Sequence, residues 1–219
     1  MLTWLRVRSV VWAWFATLAT LPFAAHLFAD HTGQFTAPCQ YHGDGGTYRW
    51  AVKIDSAAAP NSTDYQLSPQ QLLNWTGGRG NILSTTPRQG REKEWIKLTG
   101  KVTAVILEGD GDIHLELTNV NGNSHAKADA EIPSGHGWCS LRQTVLGWTN
   151  PSFPIVTKRK QLQLNSHPII SVIGKAFWDG QHAPKATSFG AVRPNRRTYD
   201  STCSVWEVHP VMQLQVLPH

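Results

Sequence analysis

The stretch WIKLTGKVTAVIL (Trp95–Leu107), EGDG (Glu108–Gly111), DIHLELT (Asp112–Thr118), NVNGNS (Asn119–Ser124) and HAKADAEI (His125–Ile132) decides the fold. The first block is rich in β-branched residues and predicts one long strand, with Gly100 at a bend. Glu108-Gly-Asp-Gly111 is a turn. In 112–118, Ile113, Leu115 and Leu117 alternate with Asp112, His114 and Glu116, the period-2 pattern of a half-buried strand. A glycine-asparagine turn follows. In 125–132, Ala126, Ala128, Ala130 and Ile132 alternate with His125, Lys127, Asp129 and Glu131. Three strands in a meander result.

Downstream of Pro133, Trp138 to Trp148 lacks turn residues and predicts a helix. Ile169 to Trp178 predicts a buried strand, 180–204 a long loop, and Val205 to Val216 the last strand. Three strands, a helix and two strands is the element order of an OB-fold. The expected fold is therefore mainly β, an OB-like five-stranded Greek-key barrel over residues 93–219 with one or two short helices. An open α+β sheet and a β-sandwich use the same strands. Upstream, residues 30–92 predict an irregular region. Arg49 to Ile54 is a short extended stretch, and Ser68 caps a short helix over 69–75 with Pro69 at its first position.

The chain opens on a separate segment. Arg6 and Arg8 precede an uncharged run from Val10 to Ala25, with Ala24, Ala25 and Ala29 at its exit. A basic start, an apolar run and small residues predict a secretory signal peptide over 1–29, and hence a periplasmic or secreted protein. The alternative is an uncleaved anchor at residues 10–29, the one route to a membrane. Across all 219 residues, 41% are hydrophobic, which excludes a disordered chain, and 16% are charged. Removing residues 1–29, which hold two arginines and no acid, lowers the formal charge from +5 to +3. Cys39, Cys139 and Cys203 form no C-x-x-C pair, so a zinc knuckle or thioredoxin motif is excluded. Export predicts one disulfide and one thiol, with three pairings open.

The polar alternates carry the candidate chemistry. Pairing of the second and third strands across their turn predicts Asp112 opposite Glu131 and His114 near Asp129. The last strand offers Glu207 and His209 on one face, and the fourth ends at Asp179 with His182 three residues on. Carboxylates beside imidazoles suit a divalent metal ion or a general acid/base pair. The plain expectation for alternating charges is nonetheless a solvated face. A second set, Lys185, Arg193, Arg196 and Arg197, lies in the 180–204 loop and predicts at most a weak polyanion contact. The second and third strands show no outward aromatic and an acid-rich face, so nucleic acid is an unexpected partner. Trp50, Trp95, Trp178 and Trp206 read as packing residues. The chain contains no G-x-S-x-G elbow, P-loop or H-E-x-x-H.

Five segments recur in a known order: Arg49-Trp-Ala-Val-Lys53, Asp110-Gly-Asp-Ile-His-Leu115, Ala130-Glu-Ile-Pro133 before Cys139, Gly174-Lys-Ala-Phe-Trp-Asp179 with His182, and Glu207-Val-His-Pro-Val211. Together, over residues 39–216, they resemble a family of small exported bacterial proteins with no established activity. The resemblance implies no mechanism. It does imply that Asp112, His114, Glu131, Asp179, His182, Glu207 and His209 act as one set. It also implies a Cys39–Cys139 disulfide, leaving Cys203 as the thiol. The 183–204 stretch is longer and more basic here than the family's connection. The expected function is a ligand-binding module for a small molecule or polyanion. The alternatives are a metal-dependent hydrolase of phosphodiesters built on the Asp/Glu/His set, or an anchored envelope protein.

Overall fold

A computed structural model describes residues 48–78, 82–150, 152, 160–186, 188 and 191–218. The predicted signal segment and Cys39 lie outside the described residues, and so does the Cys39 half of the implied disulfide. Among the described residues no helix is long and apolar enough to cross a membrane.

The predicted meander is present, and a five-stranded barrel closes around it. The strands are β1 (Trp95–Leu107), β2 (Ile113–Thr118), β3 (Lys127–Ile132), β4 (Ile169–Trp178) and β5 (Trp206–Val216). Neighbours run β1-β2-β3-β5-β4 and return to β1. Length is what allows β1 to close the ring. Its first half pairs antiparallel with β4 from Trp95↔Lys175 to Lys101↔Ile169, and its second half with β2 from Lys101↔Thr118 to Leu107↔Ile113. Gly100 sits where the strand passes from one partner to the other. A Cβ there would lie 2.8 Å from the Thr118 carbonyl oxygen and 3.0 Å from the Leu117 Cβ, so only glycine fits. The register shift between Val102 and Ala104 adds to the bend.

β2 and β3 pair antiparallel, β4 and β5 pair antiparallel, and β3 meets β5 in parallel at Ala130↔Val208. A 3₁₀ turn (His136–Trp138) leads into the helix Cys139–Leu146, between β3 and β4 as the sequence predicts. The architecture is mainly β with a closed five-strand barrel and few short helices, consistent with the expected OB-like barrel. Its core is built from the apolar alternates: Ile96, Leu98, Val105, Ile113, Leu115, Leu117, Ala128, Ala130, Val172, Ala176, Val208 and Val211 are all buried and pack as one cluster.

The predicted upstream helix spans Pro69–Leu73 and is the second helical element, α2. Ser68 caps α2 (Pro69–Leu73): its hydroxyl accepts from the Gln71 amide at 3.3 Å, while the Gln71 side chain accepts from the Ser68 amide at 2.8 Å. The expectation of an extended stretch over Arg49–Ile54 is corrected. Trp50–Lys53 is one turn of helix, α1, entered through Arg49 in the left-handed region at φ 53°. Four residues are too few to hold a helix by propensity, so tertiary anchoring decides the conformation. The buried Arg49 guanidinium forms a two-pronged ion pair with Glu92, its Nη2 lying 2.8 Å from Oε2, and also donates to the Thr86 carbonyl at 3.1 Å. Arg88 ties the same region to the barrel by donating to the carbonyls of Val52 (2.7 Å), Ala176 (2.9 Å) and His209 (2.7 Å).

Candidate charged site at the barrel end

The polar alternates of β2, β3 and β5 converge on one side of the barrel. The solvated-face expectation fails here: Asp112, His114, Asp129, Glu131, Glu207 and His209 are all buried. The cover comes from outside the barrel. The loop between β4 and β5 lays Arg197 over β3 and β5, and α1 brings Lys53 beside the β1–β2 turn. A buried charge is tolerated only when paired, and these residues pair in an alternating chain.

His209 stands at one end. Its Nδ1 lies 3.0 Å from Glu131 Oε2 and 3.2 Å from Glu207 Oε1, and its Nε2 lies 3.3 Å from Asp112 Oδ2. Glu131 turns its other oxygen to His114 Nδ1 at 3.0 Å, and His114 Nε2 lies 3.2 Å from Asp129 Oδ1. Asp129 and Glu207 then share Arg197, whose Nη2 is 2.8 Å from each carboxylate. Arg197 Nε also donates to the Ser204 carbonyl at 3.0 Å, and Nη1 to the Tyr199 hydroxyl at 2.7 Å. Asp179 completes this end through His182 Nδ1 and through Arg197 at 3.6 Å. Lys53 binds Asp110 at 3.0 Å.

These contacts set the protonation states. Burial alone would depress His114 and His209, but adjoining carboxylates outweigh it: Asp129 and Glu131 around His114, and Glu131, Asp112 and Glu207 around His209. Both imidazoles sit well above the usual histidine range. Burial would raise Asp129, yet the Arg197 and His114 charges pull it down to about 2. Glu207 goes the other way. Burial, followed by repulsion from Glu131, pushes it up to about 7 despite His209 and Arg197. His182 is raised chiefly by its hydrogen bond to Asp179.

The structure thus brings together every residue of the expected set, Asp112, His114, Glu131, Asp179, His182, Glu207 and His209. The pairing offset differs from the expectation. His114 stands opposite Glu131, and Glu116 opposite Asp129, so the register is displaced by two positions. Asp112 accepts from the Ser134 amide instead, at 3.1 Å. The basic loop also divides differently from its expected polyanion role. Lys185 and Arg196 are exposed, whereas Arg197 is buried in the acidic cluster, and Arg193 turns inward to the carbonyls of Gly180, Ala183 and Pro184, each at 2.6 Å. Those two guanidiniums are consumed within the fold.

Three participants lie outside the expected Asp/Glu/His set, although Asp129 was expected near His114 and Arg197 within the basic loop. Asp129 shares the face of Glu131 two residues away, a signal that strand periodicity does contain. Lys53 and Arg197 carry no such local signal, because only the tertiary fold brings their segments to the strands. The free cysteine Cys203 is buried, with its Sγ 3.5 Å from Asp129 Oδ2, and both burial and that carboxylate raise its thiol. It is held protonated and unreactive.

A cavity of about 240 Å³ opens onto this network. The β1–β2 turn lines it with Glu108, Gly109 and Asp110, the β4–β5 loop with Asp179, Gln181, His182 and Arg197, and the strands with His114, Glu131 and Glu207; Lys53 completes the wall. A larger cavity of about 550 Å³, walled by Ile82, Leu83, Trp178 and Trp206, lies apart from these charges. Its Glu92 is already committed to Arg49, which leaves it without an acid/base group to offer. No protein-family model, curated protein or solved structure matches this chain.

Proposed function

We propose that the chain is an exported, OB-like binding module that holds a small polar ligand bearing a positive group. One observation carries this: the cavity between the β1–β2 turn and the β4–β5 loop is lined by five carboxylates, Glu108, Asp110, Glu131, Asp179 and Glu207, against Lys53, Arg197 and two histidines. In OB-folds these two connections are where ligands bind. An acidic surplus repels polyanions and favours a cation. Lys53 supplies a donor for the ligand's polar remainder, and the apolar segment within residues 1–29 supports export.

A second, catalytic reading has one observation in its favour. Glu207, at about 7, is near its midpoint at neutral pH, as a general acid/base must be, and it shares the cavity with the His182–Asp179 pair. One experiment separates the two. Titration calorimetry of the full chain with putrescine, arginine amide, glucose and a thymidine oligonucleotide is expected to show binding of the first two only. Asp179→Asn should weaken that binding at least tenfold, taking the loss of a charge-assisted contact at about 1.5–3 kcal/mol. Binding of the oligonucleotide but not the amines overturns the proposal. Hydrolysis of bis(p-nitrophenyl) phosphate that disappears in Glu207→Gln would favour the catalytic reading.

A further inference from the structure

Beside the cavity's charged network lies a buried ion pair that lacks a hydrogen bond. Asp112 Oδ2 and His209 Nε2 belong to side chains with 0% exposure, face each other at 3.3 Å, and neither has a hydrogen-bond partner. Both groups are held there from behind. Asp112 Oδ1 accepts from the Ser134 amide, and His209 Nδ1 is flanked by Glu131 and Glu207 oxygens at 3.0 and 3.2 Å. His209 Nε2 and Asp112 Oδ2 thus form a fully buried ion pair without hydrogen-bond geometry. A divalent cation that displaces the Nε2 proton takes both atoms as ligands, so its binding releases a proton and strengthens as pH rises.

The dimensions suit a metal ion. Ligands about 2.0 Å from a tetrahedral ion lie about 3.3 Å from one another, as these two atoms do. Asp112, Glu131 and His209 each offer a ligand atom, and the three lie within 4.8 Å of one another. A carboxylate holding the far nitrogen of a ligating histidine, the position of Glu207 on Nδ1, is the usual outer support of such a site. Two carboxylates and one imidazole in a closed, dry setting fit an ion of intermediate hardness. Calcium requires six to eight oxygens, which the enclosure does not provide.

We propose that Asp112, Glu131 and His209 bind a divalent transition-metal ion, Zn²⁺ or Mn²⁺, under the floor of the cavity. This goes beyond the cavity reading and does not depend on it.

The test is calorimetric titration of the metal-stripped full chain with ZnCl₂, MnCl₂ and CaCl₂. One equivalent of Zn²⁺ or Mn²⁺ is expected to bind and Ca²⁺ is not. Asp112→Asn and His209→Gln should each weaken binding by more than about 100-fold, since removal of outer supports alone costs 10–100-fold. Should either variant fail to fold, Mn²⁺ added to isotope-labelled wild-type protein is the deciding measurement. It should broaden the ring signals of His209 and His114 before those of the exposed His125 and His136. Broadening of the exposed rings first, or no binding at millimolar Zn²⁺ and Mn²⁺, overturns the site. Amine binding without metal binding overturns the metal site alone, and metal binding without amine binding overturns the cavity reading alone.

Discussion

At the scale of single residues, Arg197 is the most exacting position. Its guanidinium meets Asp129 and Glu207 at 2.8 Å each and the Ser204 carbonyl at 3.0 Å, with the side chain 2% exposed. A planar fork reaches all three at once, and an ammonium cannot. Arg197→Met should therefore cost about 3–5 kcal/mol in urea unfolding, because it leaves two buried carboxylates facing one another, and Arg197→Lys should recover only part of that loss. His182 gives a second test. Asp179 raises it, Arg197 opposes that rise, Glu207 adds to it, and Tyr199 packs edge-on at 5.5 Å. Its folded value lies above its unfolded one. Its contribution to stability is therefore complete below about pH 6.5 and is lost as pH rises through the folded value. An NMR titration should place the His182 midpoint above 6.5 in the wild type and return it towards 6.5 in Asp179→Asn. An unchanged midpoint in that variant would refute Asp179 as the cause.

At the scale of elements, the β4–β5 hairpin depends on one close approach. A Cβ on Gly174 would lie 2.1 Å from the Pro210 carbonyl oxygen and 2.6 Å from Val208 Cγ1, at the point where the register shifts. Gly174→Ala should destabilise by at least about 2 kcal/mol, read as a lower urea midpoint at unchanged slope. Among the strands themselves, β1 and β4 were legible to the residue, since runs of β-branched residues end sharply at Glu108-Gly109 and Asp179-Gly180. The offset between β2 and β3 was not. Alternation fixes which face a side chain takes, and a slide of two residues preserves every face while exchanging every partner. The same residues therefore meet, and His114 does reach Asp129 at 3.2 Å, although Glu131 stands directly opposite it. The helix at Trp50–Lys53 was illegible for a different reason, since what stabilises it is Glu92, 43 residues away. Burial of the polar face was hidden likewise, because its cover arrives from α1 and from the β4–β5 loop.

At the scale of the whole molecule, the distribution of charge matters more than its total. The formal +5 of the chain suggests affinity for anions, yet the cavity over the charged network is rich in carboxylates, and two of the arginines that create the excess are spent inside the fold. The barrel's parallel seam has a consequence of its own. β3 and β5 share a single registered backbone pair, Ala130↔Val208, extended by the isolated bridge Lys127↔Cys203. Side-chain charge also spans that seam: Glu131 to His209, and Asp129 through Arg197 to Glu207. The groups proposed to bind a ligand therefore also bridge the barrel's seam. Any occupant that engages those carboxylates in the closed form alone adds its binding free energy to the cost of parting the seam. One that takes them from Arg197 or His209 without replacing the bridge lowers that cost. Occupancy and closure are two readouts of one equilibrium.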